Sequence, residues 1–273
     1  MSEGRGFQGF ICPKEHGNVR LDYCVSKCQD HCYPLPLLLS LGSYREVKDR
    51  HFSVTEILRP YQQMFLMRNN PVWINPDDSI WMTFGTGWHE AVSPSKELLA
   101  SFGIDGDYQI EKTFQFQYKD IMVSGRPDLY IVPQKSLWDY KTAKAYKVKL
   151  LKNINNMEKW YDENYFWQVN LYRRWGYPDA KRAWLACLVK DWSAEVARRD
   201  KLKPLEIIEV PILRDSAVDE WAHRRLDTII AIEEEHMPVP PCTTAERWVA
   251  KDGKARRCGD YCAVNDICPQ FKK

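Results

Sequence analysis

Long apolar runs are missing from this chain. The longest, around Leu35 to Leu41, is too short and too interrupted by proline to span a bilayer, and Met1-Ser2-Glu3-Gly4-Arg5-Gly6 has no hydrophobic signal core. A soluble, cytoplasmic protein with no membrane partner is therefore expected. An excess of charge of one sign is missing as well. With 39 Lys+Arg against 37 Asp+Glu the formal charge is +2, so the chain is no histone-like polycation, and any nucleic-acid surface has to be a local patch. No Gly-x-Gly-x-x-Gly follows a strand-like segment, which excludes a Rossmann reading, and the absence of a P-loop speaks against a nucleotide-hydrolysing motor. Internal repeats and low-complexity linkers are also lacking. What remains is a chain of 273 residues, 44% of them hydrophobic, enough for one large domain with an appendage and too apolar for a disordered tail.

Cysteine, by contrast, is plentiful and unevenly placed. Of nine cysteines, Cys12, Cys24, Cys28 and Cys32 fall in the first segment and Cys242, Cys258, Cys262 and Cys268 in the last, leaving Cys187 alone. An odd number in a reducing compartment argues against a paired disulfide framework and for thiols that bind metal. Cys24, Cys28 and Cys32 are spaced to lie along one stripe of a helix, with Cys12 as fourth ligand and His16 and His31 as alternatives; zinc is expected there, or a second iron–sulfur cluster. Cys187, within Ala183-Trp184-Leu185-Ala186-Cys187-Leu188, reads as a buried strand thiol.

The cysteine-poor body alternates helix-like and strand-like text. Ser53-Val54-Thr55-Glu56 has the form of a capping box and predicts a helix running towards Asn69. A second helix is expected over Gly85 to Ala100, ended or kinked by Pro94. Alternation predicts a strand over Tyr108 to Tyr118, then short strands at Pro127–Val132 and Leu137–Lys141 joined by a turn containing Pro133. Tyr161 to Trp175 reads as an aromatic helix, Ala183–Val189 and Glu206–Ile212 as strands, and Asp215 to His236 as a long helix. Helices flanking a run of strands indicate an α/β or α+β domain with a mixed sheet.

The chemistry concentrates in Gly125-Arg126-Pro127-Asp128 and Asp139-Tyr140-Lys141. If the two strands are antiparallel neighbours, Asp128 and Asp139 approach one point, and Asp139 and Lys141, two apart, project to one face. Two carboxylates beside an ammonium suit magnesium or manganese and a water-activating or charge-offsetting role. Pro127-Asp128 followed by Asp139-x-Lys141 resembles the core motif of the PD-(D/E)xK nuclease superfamily. Gly85-Thr86-Gly87-Trp88-His89 looks like the RecB-type Gly-x-x-x-His signature, Glu111 matches an acidic position often found before the Asp strand, and Gln168-Val169-Asn170-Leu171-Tyr172 matches the Gln-x-x-x-Tyr motif of the same subfamily. The resemblance covers about residues 53 to 190 and is closest in kind to phage and CRISPR-associated members carrying an iron–sulfur cluster.

That resemblance implies an α/β, restriction-endonuclease-like core with a central mixed β-sheet flanked by helices, over residues 51–236, between cysteine-rich metal-binding ends at 1–50 and 237–273. It implies hydrolysis of DNA phosphodiester bonds, by an exonuclease of recombination, repair or phage DNA metabolism, in the cytoplasm of a prokaryotic or phage-infected cell. His89, Asp128, Asp139 and the Tyr140 carbonyl would hold Mg or Mn; Lys141 would position or deprotonate water or offset charge on the phosphate; Gln168 and Tyr172 would point at substrate or lysine, although packing competes for Tyr172. Cys258-x3-Cys262-x5-Cys268 resembles the family's C-terminal triplet. The family's N-terminal fourth cysteine has no counterpart at Ile57-Leu58-Arg59-Pro60, so Cys242 is the replacement in a set for a four-iron four-sulfur cluster or zinc. Lys144, Lys147, Lys149, Lys152, Arg173 and Arg174, and near the end Lys251, Lys254, Arg256 and Arg257, are candidates for phosphate contact. DNA is the expected partner, with recombination or replication proteins beside it. The alternatives are a structure-specific endonuclease and a non-catalytic nucleic-acid-binding metalloprotein with a vestigial site.

Overall fold

A computed structural model describes residues 5–14, 16–42 and 46–271. The first four residues, where a signal core was sought, lie outside them. The described strands are β1 Gly6–Ile11, β2 Asn18–Arg20, β3 His51–Ser53, β4 Pro71–Ile74, β5 Tyr108–Ile110, β6 Phe114–Tyr118, β7 Ile121–Gly125, β8 Leu129–Ile131, β9 Ser136–Ala143, β10 Arg182–Val189 and β11 Leu205–Val210. They form three sheets interleaved with helices, an α/β fold. No helix among the described residues is long and apolar enough to cross a membrane.

The chain divides into two compact units. The first comprises Met1–His51, Arg59–Phe84 and Asp227–Lys273, the second Phe52–Leu58 and Gly85–Leu226. All eight terminal cysteines belong to the first, and every residue of the nuclease-like motifs to the second.

In the first unit a sheet of order β2-β1-β4 pairs β1 antiparallel with β2 and parallel with β4. Around it Phe10, Leu21, Cys24, Leu38 and Leu41 are buried, with Val19, Cys32, Tyr33 and Ile74 among the residues packed against them.

In the second unit a five-stranded sheet runs β11-β10-β9-β8-β5. Only β9 and β10 are parallel, and the chain crosses between them through helices Ala145–Lys152, Met157–Tyr161 and Asn164–Gly176. Strand β10, Ala183 to Val189, is almost wholly apolar, as befits a strand covered on both faces. A second sheet, β3-β7-β6, adjoins helix Asn164–Gly176 through the Phe114–Tyr172 ring contact.

Local chemistry explains where elements depart from the periodic reading. The capping box at Ser53 forms in both directions, Ser53 Oγ accepting from the Glu56 N–H and Glu56 from the Ser53 N–H. The helix it opens ends at Ile57, because Pro60 disfavours helical backbone before it; a new helix, Tyr61–Asn69, follows. Pro94 likewise separates Pro76–Val92 from Lys96–Ser101. The single strand expected over Tyr108–Tyr118 is two strands in different sheets, parted at Glu111, whose φ of 48° lies in the left-handed region. The aromatic helix breaks at Asp162–Glu163, where Glu163 caps Asn164–Gly176, and the long helix from Asp215 stops at Glu233, just before Glu235 at φ 59°.

Candidate functional site

The β8–β9 hairpin sets the geometry. Leu129 pairs with Trp138 in an antiparallel register, so the next step outward places Asp128 opposite Asp139. Both carboxylates are buried, Asp139 to 2% exposure. Asp128 is fixed on two sides: the Tyr140 N–H donates to Oδ2, and His89 Nδ1 lies 2.9 Å from Oδ1. His89 comes from near the C-terminal end of helix Pro76–Val92.

Glu111 joins them through its backbone. Its N–H donates to the Asp128 carbonyl at 3.0 Å, one step beyond the β5–β8 pairing of Ile110 with Leu129, and there the chain turns away. Ligand atoms of His89, Glu111 and Asp128 all lie within 4.8 Å of one another. Imidazole plus carboxylates is a donor set for a hard or borderline divalent cation. Glu111 is absent from the ligand set read from the sequence, although its position ahead of the Asp strand was the signal for it.

Asp139 stands beside this trio, paired with Lys141, whose Nζ is 2.5 Å from Oδ2. Burial, helped by Asp128 and opposed by Lys141, pushes the Asp139 carboxyl up to about 6. Burial works against the Lys141 charge, but Asp139 outweighs it and holds the ammonium above the ordinary lysine range. Lys141 Nζ also lies 5.0 Å from the centre of the Tyr165 ring. The hydrogen bond to Asp128 holds His89 above the usual histidine value, against the effect of burial.

On helix Asn164–Gly176, Gln168 and Tyr172 share a face, and the Gln168 amide donates to the Tyr172 hydroxyl at 2.8 Å. Tyr172 has two roles: its ring packs edge-on against Phe114, and its hydroxyl end has Asp139 and Lys141 as charged neighbours, with burial pushing the phenol up to about 12. The Tyr140 main chain meets Asp128 through its N–H, and its ring packs edge-on against His89. The structure thus brings His89, Glu111, Asp128, Asp139, Tyr140, Lys141, Gln168 and Tyr172 together.

The basic residues are differently disposed. Lys147 is paired with Glu163, Lys149 with Asp200, Lys152 with Glu206, Arg173 with Asp215, and Arg174 with Asp219. Arg257 donates to Gln63 and the Glu246 carbonyl and lies over the Trp248 ring.

All nine cysteines are unbridged. Cys12, Cys28 and Cys32 lie within electrostatic range of Cys24. Cys258 and Cys268 lie within such range of both Cys242 and Cys262. Gln270 clamps Cys242 at both backbone groups, accepting from its N–H and donating to its carbonyl, a contact with no sequence signal. Cys187 is fully buried in β10, which pushes its thiol up to about 12.

No family model and no curated protein matches this chain. Among solved structures, one titled "Crystal structure of SSO0001" is similar at 13% identity, over 84% of this chain and 91% of that one, with a TM-score of 0.47.

Proposed function

We propose that the protein is a divalent-metal-dependent deoxyribonuclease on a restriction-endonuclease-like core, hydrolysing phosphodiester bonds from DNA ends in the cytoplasm of a prokaryotic or phage-infected cell. The observation that carries this reading is the convergence of His89, Glu111 and Asp128 within 4.8 Å, next to the buried Asp139–Lys141 pair. A solvated ion pair would not be buried so deeply, and a histidine serving only the core would not meet two carboxylates.

The donor set fits magnesium or manganese: the carboxylates of Glu111, Asp128 and the neighbouring Asp139, and the His89 imidazole. Such an ion, when bound, supplies a lowered pKa for bound water and offsets charge on the phosphate. The Tyr140 N–H fixes the Asp128 carboxylate in advance of substrate. Lys141, held above the ordinary lysine range by Asp139, stands beside the carboxylates, where it would position or deprotonate the attacking water or offset charge on the transferring phosphate. Gln168 holds the Tyr172 hydroxyl beside that ammonium, giving a polar edge for the scissile phosphate. The unbridged C-terminal cysteines suit a four-iron four-sulfur cluster or zinc that ties down the chain end. DNA is the partner, with recombination or replication proteins acting on the same substrate.

The test is degradation of linear and circular DNA by purified protein with Mg or Mn, with and without chelator. Linear DNA is degraded and chelator stops it, while Asp128→Asn, Glu111→Gln and Lys141→Ala each lower the rate by roughly 10²-fold or more. Cleavage by Asp128→Asn and Lys141→Ala at the wild-type rate overturns the assignment.

A further inference from the structure

The N-terminal cysteines lie in the first unit, outside the nuclease-like residues, and their surroundings are built around them. Cys12 follows β1 at the neck of the β1–β2 hairpin. Its N–H donates to the Gly17 carbonyl at 2.9 Å, and Gly17, at φ 69°, supplies the left-handed turn that closes the loop. Strand β2 runs without a linker into helix Leu21–Ser26, which carries Cys24 on its buried side. Just past that helix the Cys28 N–H still bonds back to the Tyr23 carbonyl, wrapping the chain round the helix end.

Two further contacts fold the following loop over the same place. His31 Nε2 meets the Cys24 carbonyl at 2.7 Å, which pins the loop to the helix. Lys14, in the hairpin turn, pairs with the Asp30 carboxylate at 2.5 Å and donates to the Asp30 carbonyl, tying the Cys12 end to the loop that bears Cys28 and Cys32. Contacts from three sequence segments, none of which uses a thiol, thus hold the four cysteines in one neighbourhood. Cys24 is itself one of the buried residues of the local core, and Cys32 packs against it.

We infer that Cys12, Cys24, Cys28 and Cys32 form one four-thiolate centre for a soft metal, separate from the C-terminal set, with His31 and the Lys14–Asp30 pair as positioning groups. The centre staples the hairpin, the short helix and the loop into one piece. Around a single zinc ion, sulfurs stand about 3.8 Å apart, from the usual Zn–S length. Among the described residues these thiols form no group of three within 4.8 Å, and four thiolates suit either zinc or a polynuclear iron–sulfur cluster. Either occupant is held by the same thiolate chemistry, and the inference stands independently of the nuclease reading.

The experiment uses the full chain purified anaerobically. Zinc, iron and labile sulfide are measured per chain for wild type and for Cys28→Ser/Cys32→Ser, which leaves the buried Cys24 in place. The double variant is expected to lose one centre, as one zinc or as one cluster's iron and sulfide, while keeping the C-terminal one. The second measurement needs no variant: native alkylation followed by peptide mass spectrometry, before and after chelation. Cys12, Cys24, Cys28 and Cys32 are expected to be protected together and to become labelled together when metal is withdrawn. Unchanged metal content in a folded double variant overturns the inference, as does labelling of Cys12, Cys28 and Cys32 at the rate of open thiols before chelation. Loss of DNA cleavage in Asp128→Asn leaves both readouts untouched, so the two proposals fail separately.

Discussion

The Asp139–Lys141 pair sets the electrostatics of the second unit at the level of single residues. Asp139 sits at about 6 because burial exceeds the help it receives from Lys141. A carboxyl raised above its unfolded value of about 3.9 keeps in the folded state a proton that the unfolded chain releases. The stability it contributes is present below about pH 4 and is lost as pH rises through the folded value. In Lys141→Met the opposing cation is gone and the folded value climbs further, so the loss continues above pH 6. With chelator present, the melting temperature of Lys141→Met should fall a few degrees below wild type at pH 5 and by a clearly larger margin at pH 8. A gap that does not widen with pH would mean that Asp139 is solvated in solution. The companion Asp139→Asn/Lys141→Met removes both charges and should recover most of the loss, since neither partner is then left buried alone.

Among the elements, the β6–β7 hairpin positions the site through a missing side chain. Gly125 lies opposite Phe114, and a Cβ there would come within 2.4 Å of the Phe114 ring and 2.9 Å of Tyr172. The ring fills the space over the glycine and supports Tyr172, which meets Gln168. Gly125→Ala should cost about 1–3 kcal/mol by overpacking, measured as a shift in the urea midpoint, and should also lower cleavage by displacing Tyr172. A change below about 0.5 kcal/mol would mean that the Phe114 ring yields freely. This hairpin also indicates which parts of the molecule the sequence made legible. Asp128, Asp139 and Lys141 were readable because strand alternation and one short turn suffice to bring them together. Ser53 and Glu56 were readable because a capping box is local. Glu111 was readable as an acidic position but not as a ligand, because its left-handed backbone breaks an alternating run that reads as one strand from Tyr108 to Tyr118. Strand β1 was invisible because it is held by parallel pairing with β4, Gly6 opposite Pro71, a contact that no local pattern encodes.

At the scale of the whole molecule, near-neutrality turns out to be local as well as global. The net charge is +2, and cations that looked available for DNA along Lys144 to Lys152 and at Arg173 and Arg174 are mostly matched within the fold, five of those six by a carboxylate. Asp200 is the clearest case: Arg199 and Lys149 hold its carboxyl down at about 2, so it stays ionised and keeps both partners at any working pH. Under the nuclease reading this limits how many phosphates the protein neutralises. Binding of duplex DNA loses affinity with salt at about 0.9 per phosphate contacted on a log–log scale. All six cations acting on phosphate would give a slope near −5, whereas matched cations should give about −1 to −3, measured by anisotropy in chelator so that no cleavage occurs. Asp200→Asn releases Lys149 and Arg199 together and should steepen that slope by about 1 to 2 while tightening binding at low salt. A wild-type slope near −5, or an Asp200→Asn slope equal to wild type, would mean that these pairs open on DNA and that the internal carboxylates do not set the affinity.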